Sequence, residues 1–439
     1  MWKLLFVAMV ALIAVPISGV PGEDNAEIDV SKPLTLDQCI EIALKQSSNI
    51  RIANLNLTSA KLDVDDARAN YWPEVDVSAQ YRFSDRIDFG WDRQNYDAQI
   101  AAGYTIWDHG RREIGLAQAK ADQLGVQSDY SRTKQDLIFS ITAAYYDLLE
   151  AGKLIDVNEK LVEISRGNVE KATAFQETGR GIPADVAAAR VQQANDELGL
   201  VNAQNNLELA RADLASRMGL NPIIPIEVVD TDETAMIPET TEVSLEDSMA
   251  KAIQNRPELI RLRVRATSLE WSLRLARLDR WPIISAQYDY NVLLDDYLRD
   301  RDNFKTYRNW SAAVTFSFPI FDGGASIRRE QNAEIAVQQI EEDISDSERA
   351  VMLDVEQAYL DLERAAKSLD IAGKQVKDAT ESLNVMLGRY EQDMVIFLEV
   401  LDVQARYAQA LINEIRAFYD YKIAEKSMLR AMGALRVED

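Results

Sequence analysis

Trp107-Asp108-His109-Gly110 and Phe321-Asp322-Gly323-Gly324 are the same junction written twice. Before each lies a run that alternates apolar and polar residues, and after each lies a very long helical pattern. The surroundings repeat in step. Trp72-Pro73 matches Trp281-Pro282 at a shift of 209. Asp108 matches Asp322 at a shift of 214, as do Tyr145 with Tyr359 and Met218-Gly219 with Met432-Gly433. The second copy therefore carries five extra residues between its two strand runs. A period of this kind defines the architecture before any single element does.

Each unit opens on a helix start. Thr35 is placed to cap, with Gln38 three residues on, and Ser244 has Asp247 in the same place. Each opening helix is expected to run to its Trp-Pro pair, because the residue before Pro is driven out of helical geometry. Four strand runs follow, expected over 74–84, 97–107, 283–292 and 310–321. In the first, Val75, Val77, Ala79, Tyr81 and Phe83 share one face, and Asp76, Ser78, Gln80 and Arg82 share the other. Tyr288 and Tyr290 alternate with Gln287, Asp289 and Asn291 in the third, and Val314, Phe316, Phe318 and Ile320 line one face of the fourth. Period two is the mark of a half-buried strand. Runs of about ten residues with aromatic ends suit a tilted strand crossing a bilayer. The hairpin tip holding Asp295, Asp296, Arg299, Asp300, Arg301 and Asp302 belongs in water.

Four strands cannot close a membrane barrel, which needs about eight. An open strand edge in lipid leaves backbone groups unpaired, at several kcal/mol each. Membrane strands here would require several chains to share one barrel. Two chains would supply eight strands and three would supply 12.

From Arg111 to Thr178 the only obvious weak point is Gly152, in a helical pattern that would span about 100 Å. Such a rod needs neighbours. In the second copy Leu369, Ala372, Val376, Ala379, Leu383, Met386 and Tyr390 alternate by three and four, a coiled-coil seam. The matching seam in the first copy turns polar at Asn168 and Lys171, so that part faces either a different neighbour or water. Turns are expected over Thr178 to Pro183, where glycines permit the reversal and Pro183 suits a first helical turn, and near Gln392 to Val395. Return helices end at Met218-Gly219 and Met432-Gly433.

The resulting plan has residues 1–22 as a secretory signal, with Lys3 before the apolar stretch Leu4 to Val15. A retained anchor is the competing reading. Residues 23–220 form the first repeat, 221–243 a linker or side structure, and 244–439 the second repeat. Net charge is −24, which disfavours nucleic acid as a partner. One Cys, Cys39, and one His, His109, exclude an internal disulfide and a zinc site of the usual type. No nucleophile–His–acid set or phosphate loop is legible, so the chain does not read as an enzyme, and no cofactor is expected. Gly323-Gly324 reads as a tight turn.

The order of helix, Trp-Pro, strand pair, Asp-x-Gly and long hairpin, given twice, resembles the TolC-like outer-membrane efflux proteins. The opening Leu34 to Leu44 and the tip Tyr390 to Gln404 carry the resemblance locally. It implies a mainly α fold with a transmembrane β part. In that fold a homotrimer joins a 12-stranded barrel in the outer membrane to a helical tube in the periplasm. It further implies a passive exit duct for efflux or type I secretion, with porin-like conduction. A periplasmic adaptor and an inner-membrane pump would be its partners. The family's gate Tyr falls on Tyr390, its ring-forming acids on Glu399 and Asp402, and the acid of the first hairpin on Asp185. Gly179, Gly181, Pro183, Asp393 and Met394 fall at the tips where an adaptor would dock. Asp393 replaces the family's turn Gly and Val395 replaces an Arg often found in the gate, for which Arg389 and Arg180 are the nearby substitutes. The alternative is a soluble periplasmic coiled-coil scaffold with an ordinary sheet.

Overall fold

The computed structural model describes residues 32–86, 91–230, 244–297, 305–392 and 394–435. The expected signal segment, most of the linker and Asp393 lie outside them. The elements are α1 (Leu36–Gln46), α2 (Ser48–Ala69), β1 (Glu74–Arg86), β2 (Trp91–Trp107), α3 (Arg111–Glu177) and α4 (Pro183–Arg217). The same series returns as α5 (Leu245–Asn255), α6 (Pro257–Leu278), β3 (Ile283–Tyr297), β4 (Lys305–Ser317), α7 (Ala325–Glu391) and α8 (Phe397–Ala431). Among the described residues no helix is long and apolar enough to cross a membrane.

Thr35 and Gln38 make the capping box, each side chain taking the other's backbone N–H. The opening helix does not run unbroken to Trp-Pro, contrary to the sequence expectation. It breaks at Ser47 and again at Arg256, both extended, at φ −63°, ψ 124° and φ −62°, ψ 122°. In the second repeat Pro257 forces the break. In the first no proline is present, and the cause is tertiary. A Cβ on Gly219 would lie 2.9 Å from the Gln46 carbonyl oxygen, and one on Gly433 2.9 Å from the Asn255 carbonyl carbon. Both glycines have positive φ (78° and 67°), so each return helix ends by pressing a bare backbone onto a kink.

The sheet is a four-stranded antiparallel meander in the order β1-β2-β3-β4, leaving β1 and β4 as its edges. Its faces follow the alternation. Gln99 and Gln287 both donate to Asp289 (3.1 Å each) on one face, and Tyr288 stacks on Trp310 on the other. β4 spans 305–317 rather than 310–321. It starts earlier because it pairs with β3 up to Asp295, and stops before Pro319, which has no N–H to give a ladder.

The Asp-x-Gly junctions are built alike. Asp108 accepts from the backbone N–H of Gly110 (3.1 Å) and Arg112 (3.2 Å), and Asp322 from those of Gly324 (3.0 Å) and Ser326 (2.7 Å). These bonds, that from Ser326 first, hold the Asp322 carboxyl below its ordinary pKa. The residues between are in the left-handed region: His109 and Gly110 at φ 57° and 86°, Gly323 and Gly324 at 65° and 79°. His109 lies between the rings of Trp107 and Trp281.

α3 and α7 are unbroken helices of 67 residues. At about 1.5 Å per residue each is on the order of 100 Å long. α3 packs on α1, α2, α4, α6 and α8, and α7 packs on α5, α6 and α8. Residues 220–230 form a strap across the upper bundle. Leu34 pairs with Val228, and Ile226 and Leu34 join Tyr145, Leu148, Leu214 and Met218 in the largest core.

Candidate functional site

The hairpin tips are one packed unit. Ala172, Val186, Ala189, Tyr390, Phe397 and Val400 form a buried cluster that joins α3 and α4 to α7 and α8. Tyr390 sits between Phe175 and Phe397, with ring centroids at 5.3 and 5.4 Å. Such aromatic pairs add about 0.5–1.5 kcal/mol to area burial. Val395, in the place where the resemblance leads one to expect an Arg, packs against this cluster.

Polar links tie the hairpins from outside. The Lys171 ammonium donates to the Glu391 carboxylate at 2.8 Å, which holds Glu391 below its ordinary pKa. Arg180 lies 4.5 Å from the Phe175 ring centre and donates to the Glu391 carbonyl (3.2 Å). One link is internal: the Asn168 amide donates to the Gln404 side-chain oxygen at 2.6 Å, with both residues buried. At Asn168 the polar part of the first seam therefore faces a neighbour, α8, whereas Lys171 stays exposed and reaches α7 from outside.

The acids singled out from sequence lie apart from this cluster. Asp185 is half-buried in the first turn of α4, its N–H donating to the Ile182 carbonyl (3.0 Å). Glu399 and Asp402 are exposed on the first turns of α8, and Asp402 pairs with Arg406 at 2.9 Å. Gly179 (φ 77°) makes the first turn with open space around it, whereas a Cβ on Gly181 would lie 3.0 Å from the Gln176 nitrogen. Pro183 and Met394 are exposed at the tip ends. Phe175 and Gln404 were not legible as site residues, since nothing local marks an aromatic or amide that is completed by a residue over 200 positions away, and Phe397, although only seven residues from Tyr390, sits across a turn from it. The polar interruption at Asn168 and Lys171 was the available signal.

Higher on the bundle, Asp147, Glu150, Asn158, Asn202, Asn206 and Arg416 line a groove between α3, α4 and α8. Helical periodicity puts it on the face of α3 opposite the strap, which lies over Leu148, Leu149 and Gly152. Burial raises the pKa of Asp147 and of Glu150, opposed by Arg217 and Arg416 respectively. Among the described residues no group of His, Cys, Asp and Glu could hold a metal ion.

Comparison with known proteins places this architecture. The chain is 24% identical over 409 residues to Protein CyaE of Bordetella pertussis, covering 92% of this chain and 84% of that protein. It is 21% identical over 441 residues to the outer membrane protein TolC of Salmonella enteritidis, covering 98% and 86%. The open state of the MtrE outer membrane channel of Neisseria gonorrhoeae superposes with a TM-score of 0.75 at 18% identity, over 91% of this chain and 88% of that one. The family model described as outer membrane efflux protein matches residues 39–220 and 249–434, nearly all of both repeats. The chain belongs to the outer membrane efflux protein family.

Proposed function

We propose that three copies of this chain close into one passive duct, sealed at its periplasmic end by the hairpin tips. The observation that carries this reading is that the chain is open on two opposite sides at both levels. β1 and β4 are free sheet edges, and Val77 and Val314 on them are 76% and 71% exposed. The outer flank of α2 and α4 exposes Ile52, Leu55, Leu62, Val191 and Leu198, and that of α7 exposes Ile335, Leu360 and Val385. A strand edge left open in lipid is not tolerated. Faces on opposite sides of one chain join head to tail, and such contacts close into a ring. Three chains of four strands give the 12 strands of a closed barrel.

In this duct Tyr390 locks the two hairpins of one chain together, while Asp185, Glu399 and Asp402 face the pore as repeated rings. Like charges brought together attract cations. The polar sheet face (Asp76, Ser78, Gln80, Gln99, Ser285, Gln287, Asp289, Asn291) lines the barrel lumen. Gly179, Gly181, Pro183 and Met394 form the end presented to a periplasmic adaptor, which connects the duct to an inner-membrane pump. The duct carries no chemistry of its own. Membership of the efflux family and the two open sheet edges favour the duct over a soluble scaffold. The test is native mass after extraction in mild detergent, followed by conductance in a planar bilayer. A three-chain particle that conducts is expected. A monomer released without detergent would reject the reading.

A further inference from the structure

The two junctions between sheet and long helix share a backbone and differ in charge. Arg274, Arg280, Arg328 and Arg329 surround the second junction. Their equivalents in the first repeat are Asp65, Tyr71, Ile114 and Gly115, none of them basic. The arginines gather here in a chain whose net charge is −24.

Two carboxylates serve this cluster, and each is shared by two guanidinium groups. Arg277 and Arg280 both donate to Glu330 (3.0 and 2.6 Å), and Arg329 and Arg111 both donate to Asp279 (2.6 and 3.2 Å). Asp322 adds a longer contact to Arg329, at 3.8 Å. The side chains of Arg277 and Arg280 are about half exposed, whereas that of Glu330 is mostly covered. One carboxylate against two guanidinium groups leaves a positive charge over, with N–H donors turned to the surroundings.

The cluster lies beneath the apolar face of the sheet. Arg280 stands where the first repeat has Tyr71. The Arg112 guanidinium lies over the rings of both Tyr71 (5.4 Å) and Tyr104 (5.8 Å), and Tyr104 belongs to the apolar face. Trp281, next in the chain, is exposed, as a Trp at a membrane interface is. Just above, that face is hollow. Ala102, Ala286 and Ala312 floor a depression of about 370 Å³ between Tyr104, Tyr288 and Val314. The register builds it by alternating size: Tyr288 pairs with Ala102 and Ala312, and Ala286 with Tyr104 and Val314. The chain from Arg280 to Ala286 spans at most about 20 Å, roughly the thickness of one leaflet with its headgroups.

We propose that this rim binds an anionic phospholipid of the periplasmic leaflet, its phosphate on Arg277 and Arg280 and one acyl chain in the depression. This rests on the membrane-embedded sheet of the duct proposed above. Charge selects the headgroup, because guanidinium forks match phosphate oxygens and a zwitterionic lipid brings its own ammonium against the surplus positive charge. The depression selects a lipid over free phosphate, because its floor and walls offer an ion nothing.

The test is native mass spectrometry of the full-length protein in mild detergent, titrated with phosphatidylglycerol, with phosphatidylcholine of the same chains, and with inorganic phosphate. Phosphatidylglycerol should be retained at least about tenfold more strongly than phosphatidylcholine, since each arginine near a lipid surface contributes on the order of fivefold. Arg277→Gln/Arg280→Gln should abolish that preference. Glu330→Gln removes the shared acid and should bind more tightly than the native chain, which a misfolded variant cannot do. Ala286→Phe fills the depression and should lose the lipid with both arginines in place. Arg364→Gln, exposed far down α7, should change nothing. Displacement of the lipid by inorganic phosphate, or unchanged binding by Ala286→Phe, would make the ligand a free anion and overturn the lipid. A three-chain conducting particle that holds both lipids alike, or keeps its preference without the two arginines, overturns the site and leaves the duct standing. A single chain released without detergent overturns both.

Discussion

Replacing Asn168 by Leu tests the hairpin link where the structure is most specific. Asn168 and Gln404 are 5% and 2% exposed, and a single bond of 2.6 Å joins them, while the Gln404 side-chain nitrogen is buried with no partner. Leu branches at the same carbon as Asn, is bulkier, and offers no donor. The closed tip would lose a bond worth about 1 kcal/mol net and keep a wholly unsatisfied carboxamide, costing roughly 1–3 kcal/mol. In an open tip the same carboxamide meets water and that cost disappears. A shift of about 2 kcal/mol toward the open form follows, roughly 30-fold in the closed-to-open ratio. Replacing both residues by Leu removes both orphaned groups and restores an apolar contact, so Asn168→Leu/Gln404→Leu should close at least as well as the native duct. Single-channel recording in planar bilayers reads open occupancy directly. An Asn168→Leu channel as closed as the native one, or a double variant as open as the single, would refute the account.

Glu399→Ala should weaken cation block of the channel more than Asp402→Ala, because Arg406 already neutralises Asp402 within its own chain. Equal effects would show that the Arg406 pair does not persist in the duct. Acidification offers a second handle on the tip. Lys171 depresses the pKa of Glu391, so the link is present above the ordinary carboxylate range and lost as pH falls through the lowered value. Conductance should rise at that point in the native channel and not in Lys171→Met. Gly219→Ala should lower thermal stability, followed by helical circular dichroism in detergent, more than Gly323→Ala does. Both carry left-handed strain of about 1–2 kcal/mol, but only a Cβ at 219 meets backbone, at 2.9 Å. Matching losses would mean the kink contact is unimportant.

Residue chemistry made much of this chain legible. The Asp-x-Gly junctions read as turns because Asp accepts from the N–H groups two and four residues on, and that bond is local. The seam from Leu369 to Tyr390 read as buried because helical spacing alone puts those residues on one face, and all seven are buried or half-buried. Tyr390 and the acids Asp185, Glu399 and Asp402 were singled out through family resemblance. The break at Ser47, the partner of Asn168 and the aromatic stack around Tyr390 were not legible.

The sequence by itself determined the repeat, the elements and their faces, because periodicity, capping and Gly/Pro geometry act within a few residues of chain. Tertiary structure decided which helix covers which, that Gly219 and Gly433 must be bare to meet a kink, and that Asn168 is paired with Gln404 rather than solvated. It also decided which sheet edges and helix flanks are left without a partner. These outcomes depend on distances between residues far apart in the chain, set by packing two long hairpins side by side, and no local pattern encodes them.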